Sequence, residues 1–153
     1  MATNIRYLLF TPTYNSIQRP YVNSTMTKHH QYTLLTYLIA AVWLANGLLC
    51  KVLHLVPRHG QIVARILGPA YAGELTVLIG FSEIIMAAWV VSRYQAELNA
   101  MVQIAVVAAM NILEFWLVPD LLLWGRLNAA FALLFIGWVY YRTFVLEPQL
   151  SPA

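Results

Sequence analysis

The sequence predicts an all-α integral membrane protein: an up-down four-helix bundle with a short interfacial or re-entrant helix between helices one and two. Three observations carry that prediction. Apolar residues make up 61% and charged residues only 10% of the 153-residue chain, against about 45–50% and about 25% in soluble domains. Mean hydropathy is +0.66, more apolar surface than a small soluble fold can hide but which a bilayer can host. Four apolar stretches of membrane-spanning length are separated by breaks that carry proline or charge.

Residues 1–31 read as a polar, mobile arm with Pro12, Pro20 and basic Arg6, Arg19 and Lys28. Met26 is an alternative start, because MTKHHQYTLL is a compact basic lead into a membrane helix. The four-helix domain is expected over residues 32–146, with a short tail at 147–153. Helix one runs from about Tyr32 to Leu55, and Pro57 ends it by removing a donor and disfavouring helix before it. The segment from His59 to Leu67 is too short to cross a bilayer and reads as lying at its interface. Gly68-Pro69 stops it. Helix two spans about Tyr71 to Ser92, helix three about Leu98 to Val118, and helix four about Leu123 to Val145. Turns this short make the helices antiparallel neighbours.

Five basic residues on the terminal side (Arg6, Arg19, Lys28, Arg93, Arg142) face four opposite (Lys51, Arg58, Arg65, Arg126). That bias points to termini in the cytoplasm; the membrane expected is a bacterial cytoplasmic one. The formal charge of +3 is ordinary for membrane-protein loops, and no nucleic-acid partner is expected. The single cysteine, Cys50, rules out an intramolecular disulfide and dithiol redox chemistry within this chain. It reads as a small buried hydrophobe.

The polar groups fall unevenly. Counted from the non-terminal side at about 1.5 Å per residue, Lys51 and Glu114 lie about 6 Å deep, Asn111 about 10 Å and Asn46 about 13 Å. Glu83 is near mid-membrane, while Asp120, Arg126 and Asn128 gather at the same end. The terminal half holds Gln103 as its main exception. Ionised side chains in hydrocarbon cost at least about 2.5–3.5 kcal/mol and so turn inward and pair. Asn111 with Glu114, and Lys51 with His54, have the spacing of residues on one helix face. Glu83 and Glu114 facing Lys51 and Arg126 would form a neutralised network in a one-sided cavity, with Arg58, His59 and Arg65 at its mouth. The structural alternative is glue: a Lys51–Glu114 bridge and an Asn46–Asn111 hydrogen bond that only fix register. Glu83, alone at mid-membrane, requires a partner or a proton. One His54/His59 spacing of five, with no acidic or thiolate cluster, argues against haem or metal.

The block WLANGLLCKVLHLVPRHGQIVARILG, then LTVLIGFSEIIMAAWVVS, then MNILEFWLVPDLLLWGRLNAAFALLF, resembles the DoxX-like family of small four-helix membrane proteins, over about residues 32–146. The resemblance implies a free membrane domain or one joined to a short-chain dehydrogenase-type domain. The wider group is similar to a small membrane subunit of thiosulfate:quinone oxidoreductase, and other relatives are linked to oxidative-stress complexes or partner assembly. It carries no agreed catalytic set, so these polar positions stand as candidates for a cavity. Two readings follow beside the lipid bilayer as partner. One is a module that binds a small amphipathic ligand such as a quinone and supports a redox partner; the other is a non-enzymatic assembly subunit. A small-solute transporter ranks below both, since four helices would require a homo-oligomer.

Overall fold

The computed structural model describes residues 12–150, with side chains from Thr27 onward. No strand occurs among the described residues. Helix α1 covers Pro12–Leu44 and continues as a π-helix over Ala45–Val52. Helix α2 is Arg58–Leu67, α3 Ala72–Ser92 and α4 Ala96–Leu117. A 3₁₀ turn at Gly125–Leu127 leads into α5, Asn128–Tyr140, which continues as a π-helix over Tyr141–Leu146 and ends in α6, Glu147–Leu150. Four stretches are long and apolar enough to cross a membrane: Thr27–Val52, Ala72–Ser92, Ala96–Leu117 and Gly125–Leu150. They are the four spans expected from the sequence.

Boundaries differ in two places. The first helix begins at Pro12 rather than near Tyr32, so only residues 1–11 of the expected arm lie outside the described backbone. The other end of that helix is π-helical, not α-helical, and closes with Leu53 N–H donating to the Leu48 carbonyl at 2.9 Å. His54 then takes a left-handed φ of 53°, which turns the chain ahead of Pro57. Helix α2 ends at Gly68, whose φ of 96° is open to glycine and strained for other residues.

The bundle closes as a ring in which α3 packs along α1 and its π-helical extension, and α4 along α5. The α1–α3 crossing is tightest at two glycines. A Cβ on Gly47 would sit 2.5 Å from the Gly80 carbonyl oxygen, and one on Gly80 would sit 2.9 Å from the Gly47 oxygen. Small residues at a membrane helix crossing let backbones approach so that dispersion and polar contacts can act. The apolar core lies in the terminal half, where Ile39 and Trp43 of α1 meet Met86 and Val90 of α3, Ala100 of α4 and Val139 of α5. Elsewhere large apolar side chains point outward, as lipid-facing helices require.

A cavity at the non-terminal end

Beyond that core the four spans part, leaving a cavity of about 660 Å³, within the ~300–1,000 Å³ range of small-molecule sites. Its inner wall is apolar and aromatic, with Trp43, Phe131, Phe135 and Trp138 contributing. Trp43 meets Phe135 edge-on at 6.1 Å between ring centres. The polar end gathers Asn46, Lys51, Asn111, Glu114 and Asn128, with Arg58 and His59 above them.

Local structure positions each of these groups. The glycine crossing brings the turn after Gly47 against the turn after Gly80, and Lys51 Nζ donates to both Glu83 carboxylate oxygens at 2.7 and 2.8 Å. Both side chains are buried, so the pair is a neutral unit at the cavity's edge, and Glu83 itself stays outside the lining. The partner that Glu83 required is therefore Lys51, in place of the Lys51–Glu114 bridge the sequence offered. Helix α4 turns Asn111 and Glu114 into the cavity, three residues apart on one face. Asn128, opening α5, donates weakly to Asn111 Oδ1 at 3.5 Å and to Glu114 Oε2 at 3.4 Å. This replaces the expected Asn46–Asn111 bond: Asn111 instead donates to the Val107 carbonyl at 2.9 Å. The side chains of Asn46 and Arg58 make no hydrogen bond to the described residues, which leaves their donors turned to the space they line.

The remaining candidates lie around the rim or beyond it. His59 Nδ1 approaches the Val56 carbonyl at 3.4 Å. Burial, with Lys51 and Arg58 nearby, pushes the His59 imidazole below its ordinary range, against the pull of that carbonyl. It is therefore neutral at pH 7. His54 is exposed and outside the cavity, because its left-handed turn directs it away from the Lys51 face. Arg65 and Asp120 pair at 3.0 Å, tying α2 to the α4–α5 loop across the mouth rather than lining it. Arg126 lies 5.2 Å over the Phe115 ring, far from the neutralising role expected of it. Among the described residues no three His, Cys, Asp or Glu side chains gather as a metal-holding group.

The terminal half is also polar, contrary to the one-sided distribution expected from depth. Arg142 is 1% exposed, not at the head groups. It donates to Thr36 Oγ1 at 2.9 Å, to the Tyr32 hydroxyl at 3.0 Å and to Thr143 Oγ1 at 3.4 Å. Tyr32 is buried beneath the Arg142 and Arg93 guanidiniums, 4.9 and 5.1 Å from its ring centre. A second chain runs beside it: Trp43 Nε1 donates to Gln103 Oε1 at 2.7 Å, and Gln103 Nε2 to Asn99 Oδ1 at 2.7 Å. The available signal was helix length. The fourth span continues to Leu150, which leaves Arg142 two turns inside its end.

The sequence profile of the DoxX-like family matches residues 40–139, about two thirds of the chain. That interval contains every cavity-lining polar residue described above. No curated protein and no solved structure matches the chain.

Proposed function

The chain belongs to the DoxX-like family of membrane proteins, and from that premise we propose that it binds a small amphipathic ligand in the non-terminal cavity, with a quinone as leading candidate, and supports a redox partner. The observation that carries the reading is the pairing of apolar, aromatic walls with one polar end whose donors are not fully used. Small-molecule sites share that plan: mostly apolar lining, with a few polar groups that fix orientation. Asn46, Asn128 and Arg58 would donate to a ligand oxygen, and Glu114 would accept from a hydroxyl or exchange a proton. Lys51 and Glu83 would hold the polar end in place rather than touch the ligand, because each satisfies the other. The termini are proposed on the cytoplasmic side of a bacterial membrane. Removing buried Arg142 and Lys51 from the two counts of basic residues leaves four against three, the same direction of bias.

A second reading keeps the protein as a non-enzymatic assembly subunit. The closed Lys51–Glu83 pair supports it, since a self-satisfied ion pair fixes helix register without a ligand. Native mass spectrometry of the protein released gently from its own membrane separates the two. A bound quinone-sized molecule, whose occupancy falls in Asn128→Leu while the protein stays folded, is the expected result. A protein partner with no small molecule would overturn the ligand reading in favour of assembly.

A further inference from the structure

We infer that the cavity opens sideways into the bilayer through a seam between α1 and α5, and that its occupant is a lipid-phase amphiphile whose polar head sits at the Asn111–Asn128 end and whose tail lies in the seam. This rests on the ligand-binding reading above and specifies the ligand's class and route. The lining divides by helix. Residues from α3 and α4, such as Ile79, Val107 and Glu114, are half-buried and turned inward. Some lining residues from α1 and α5 also face the exterior: Val42 is 37%, Phe131 50%, Leu134 61% and Trp138 45% exposed. A side chain that both lines a cavity and faces outward is the lip of an opening.

Depth decides what that opening faces. Val42 lies ten residues inside the Val52 end of its span and Leu134 nine residues past Gly125, depths of about 13–15 Å at 1.5 Å per residue. Hydrocarbon about 30 Å thick surrounds a span at that level. The lips therefore meet lipid tails and not water. The seam is also bounded: the Trp43–Phe135 contact joins the two helices at one point, and the Arg142 bonds to Thr36 and Tyr32 pin its terminal end. The opposite flank of α1 is shut by the Gly47–Gly80 crossing, so the gap is local to one side. An amphiphile fits both regions at once: hydrogen-bonding oxygens match the amides at the polar end, and an unbranched or isoprenoid tail matches the apolar lips.

Cys50, the chain's single cysteine, lines the same cavity and reports access to it. The protein in lipid nanodiscs is alkylated with N-phenylmaleimide, which partitions into lipid, and with a sulfonated thiol reagent, which does not. Leu134→Trp is expected to slow the apolar reagent on the order of tenfold and leave the charged one unchanged. Decylubiquinone is expected to protect Cys50 at roughly tenfold lower concentration than the tail-less quinone, because its chain concentrates it in the bilayer, and Leu134→Trp should abolish that advantage. Val42→Trp, on the facing lip, repeats the test if Leu134→Trp fails to fold. Equal protection by both quinones, with apolar labelling indifferent to either tryptophan, would overturn the lateral route while leaving the ligand reading intact. Protection by neither quinone would overturn the proposed occupant and, with it, the quinone reading. Disulfide-linked dimers of Leu134→Cys in a Cys50→Ser background would overturn the seam in favour of a second copy of the chain covering it.

Discussion

The two ends of the bundle both hold polar side chains between the helices and use them in opposite ways. At the terminal end Arg142 donates to Tyr32, Thr36 and Thr143, and Trp43, Gln103 and Asn99 form a chain with bonds of 2.7 Å; among the described residues Glu147 Oε2 is the one buried side-chain atom there left without a partner. At the other end the Asn128 contacts stretch to 3.4–3.5 Å and surround open space. A buried polar network that is fully satisfied rigidifies a core, whereas partly used donors carry a cost until something else bonds them. Polarity inside a membrane is therefore not in itself the mark of a site; unused donors beside an apolar, aromatic cavity are. By that criterion Lys51–Glu83 belongs with the closed network, although it stands at the open end.

The sharpest way to break the comparison is to remove one member of that pair. Glu83→Gln leaves a buried ammonium unpaired, and unfolding measurements should show a loss of roughly 3–5 kcal/mol. Replacing both residues with methionine should recover most of it; no recovery would move the pair to the functional side. Next in size, Arg142→Met removes three bonds, each worth up to about 1.5–3 kcal/mol, but also the cost of several kcal/mol for burying a guanidinium. The net loss should be about 1.5–3 kcal/mol, with the ligand still retained by whatever protein folds. Asn128→Leu should invert this pattern: stability should shift by less than about 1 kcal/mol while ligand affinity falls about tenfold, the value of one hydrogen bond. A stability loss as large as that of Arg142→Met would place Asn128 in the closed class. The exposed Arg65–Asp120 pair should be worth about 0.2–1 kcal/mol and weaken with salt, read as a small shift in thermal midpoint for Asp120→Asn.

The smallest effect concerns pH. His59 is held neutral by burial, so its folded pKa lies below the ordinary 6.5. Between those two values the unfolded chain binds more protons than the folded one, so this residue's contribution to stability falls as pH drops below about 6.5. His59→Gln should flatten that part of the thermal-midpoint profile, and an unchanged slope would assign it to another group.

Much of this was legible from residues alone. Composition and spacing gave four spans and the short helix after Pro57, and depth counting brought Asn46, Lys51, Asn111, Glu114 and Asn128 to one end. Pairing was not legible, because it depends on rotation about helix axes. Lys51 chose Glu83 over Glu114 through a backbone crossing at Gly47 and Gly80 that no pattern of charges announces. Arg142 misled for a different reason. An arginine after two tyrosines has the look of an interface anchor, and only the further turns of helix to Leu150 carry it inside. His54 was assigned to the Lys51 face by helical spacing, which fails where the chain leaves the helix with positive φ.

The π-helical turn at Ala45–Val52 decides how the site responds to a change in the number of residues, as distinct from their identity. Each i→i+5 bond houses one residue more than an α-helical turn would. Deleting Leu48 or Leu49 could thus give a regular helix with every backbone bond restored. Because the wide turn already absorbs that extra residue, removing it keeps the two flanks close to register: Gly47 and Lys51 would stand three residues apart in place of four, and either spacing lies on one helix face. A deletion in a regular α-helical stretch would instead rotate one flank by about 100° against the other, since 3.6 residues make a turn. The Gly47 crossing and the Lys51–Glu83 pair are therefore joined by a segment that tolerates a lost residue, which the α-helical part of the same span does not.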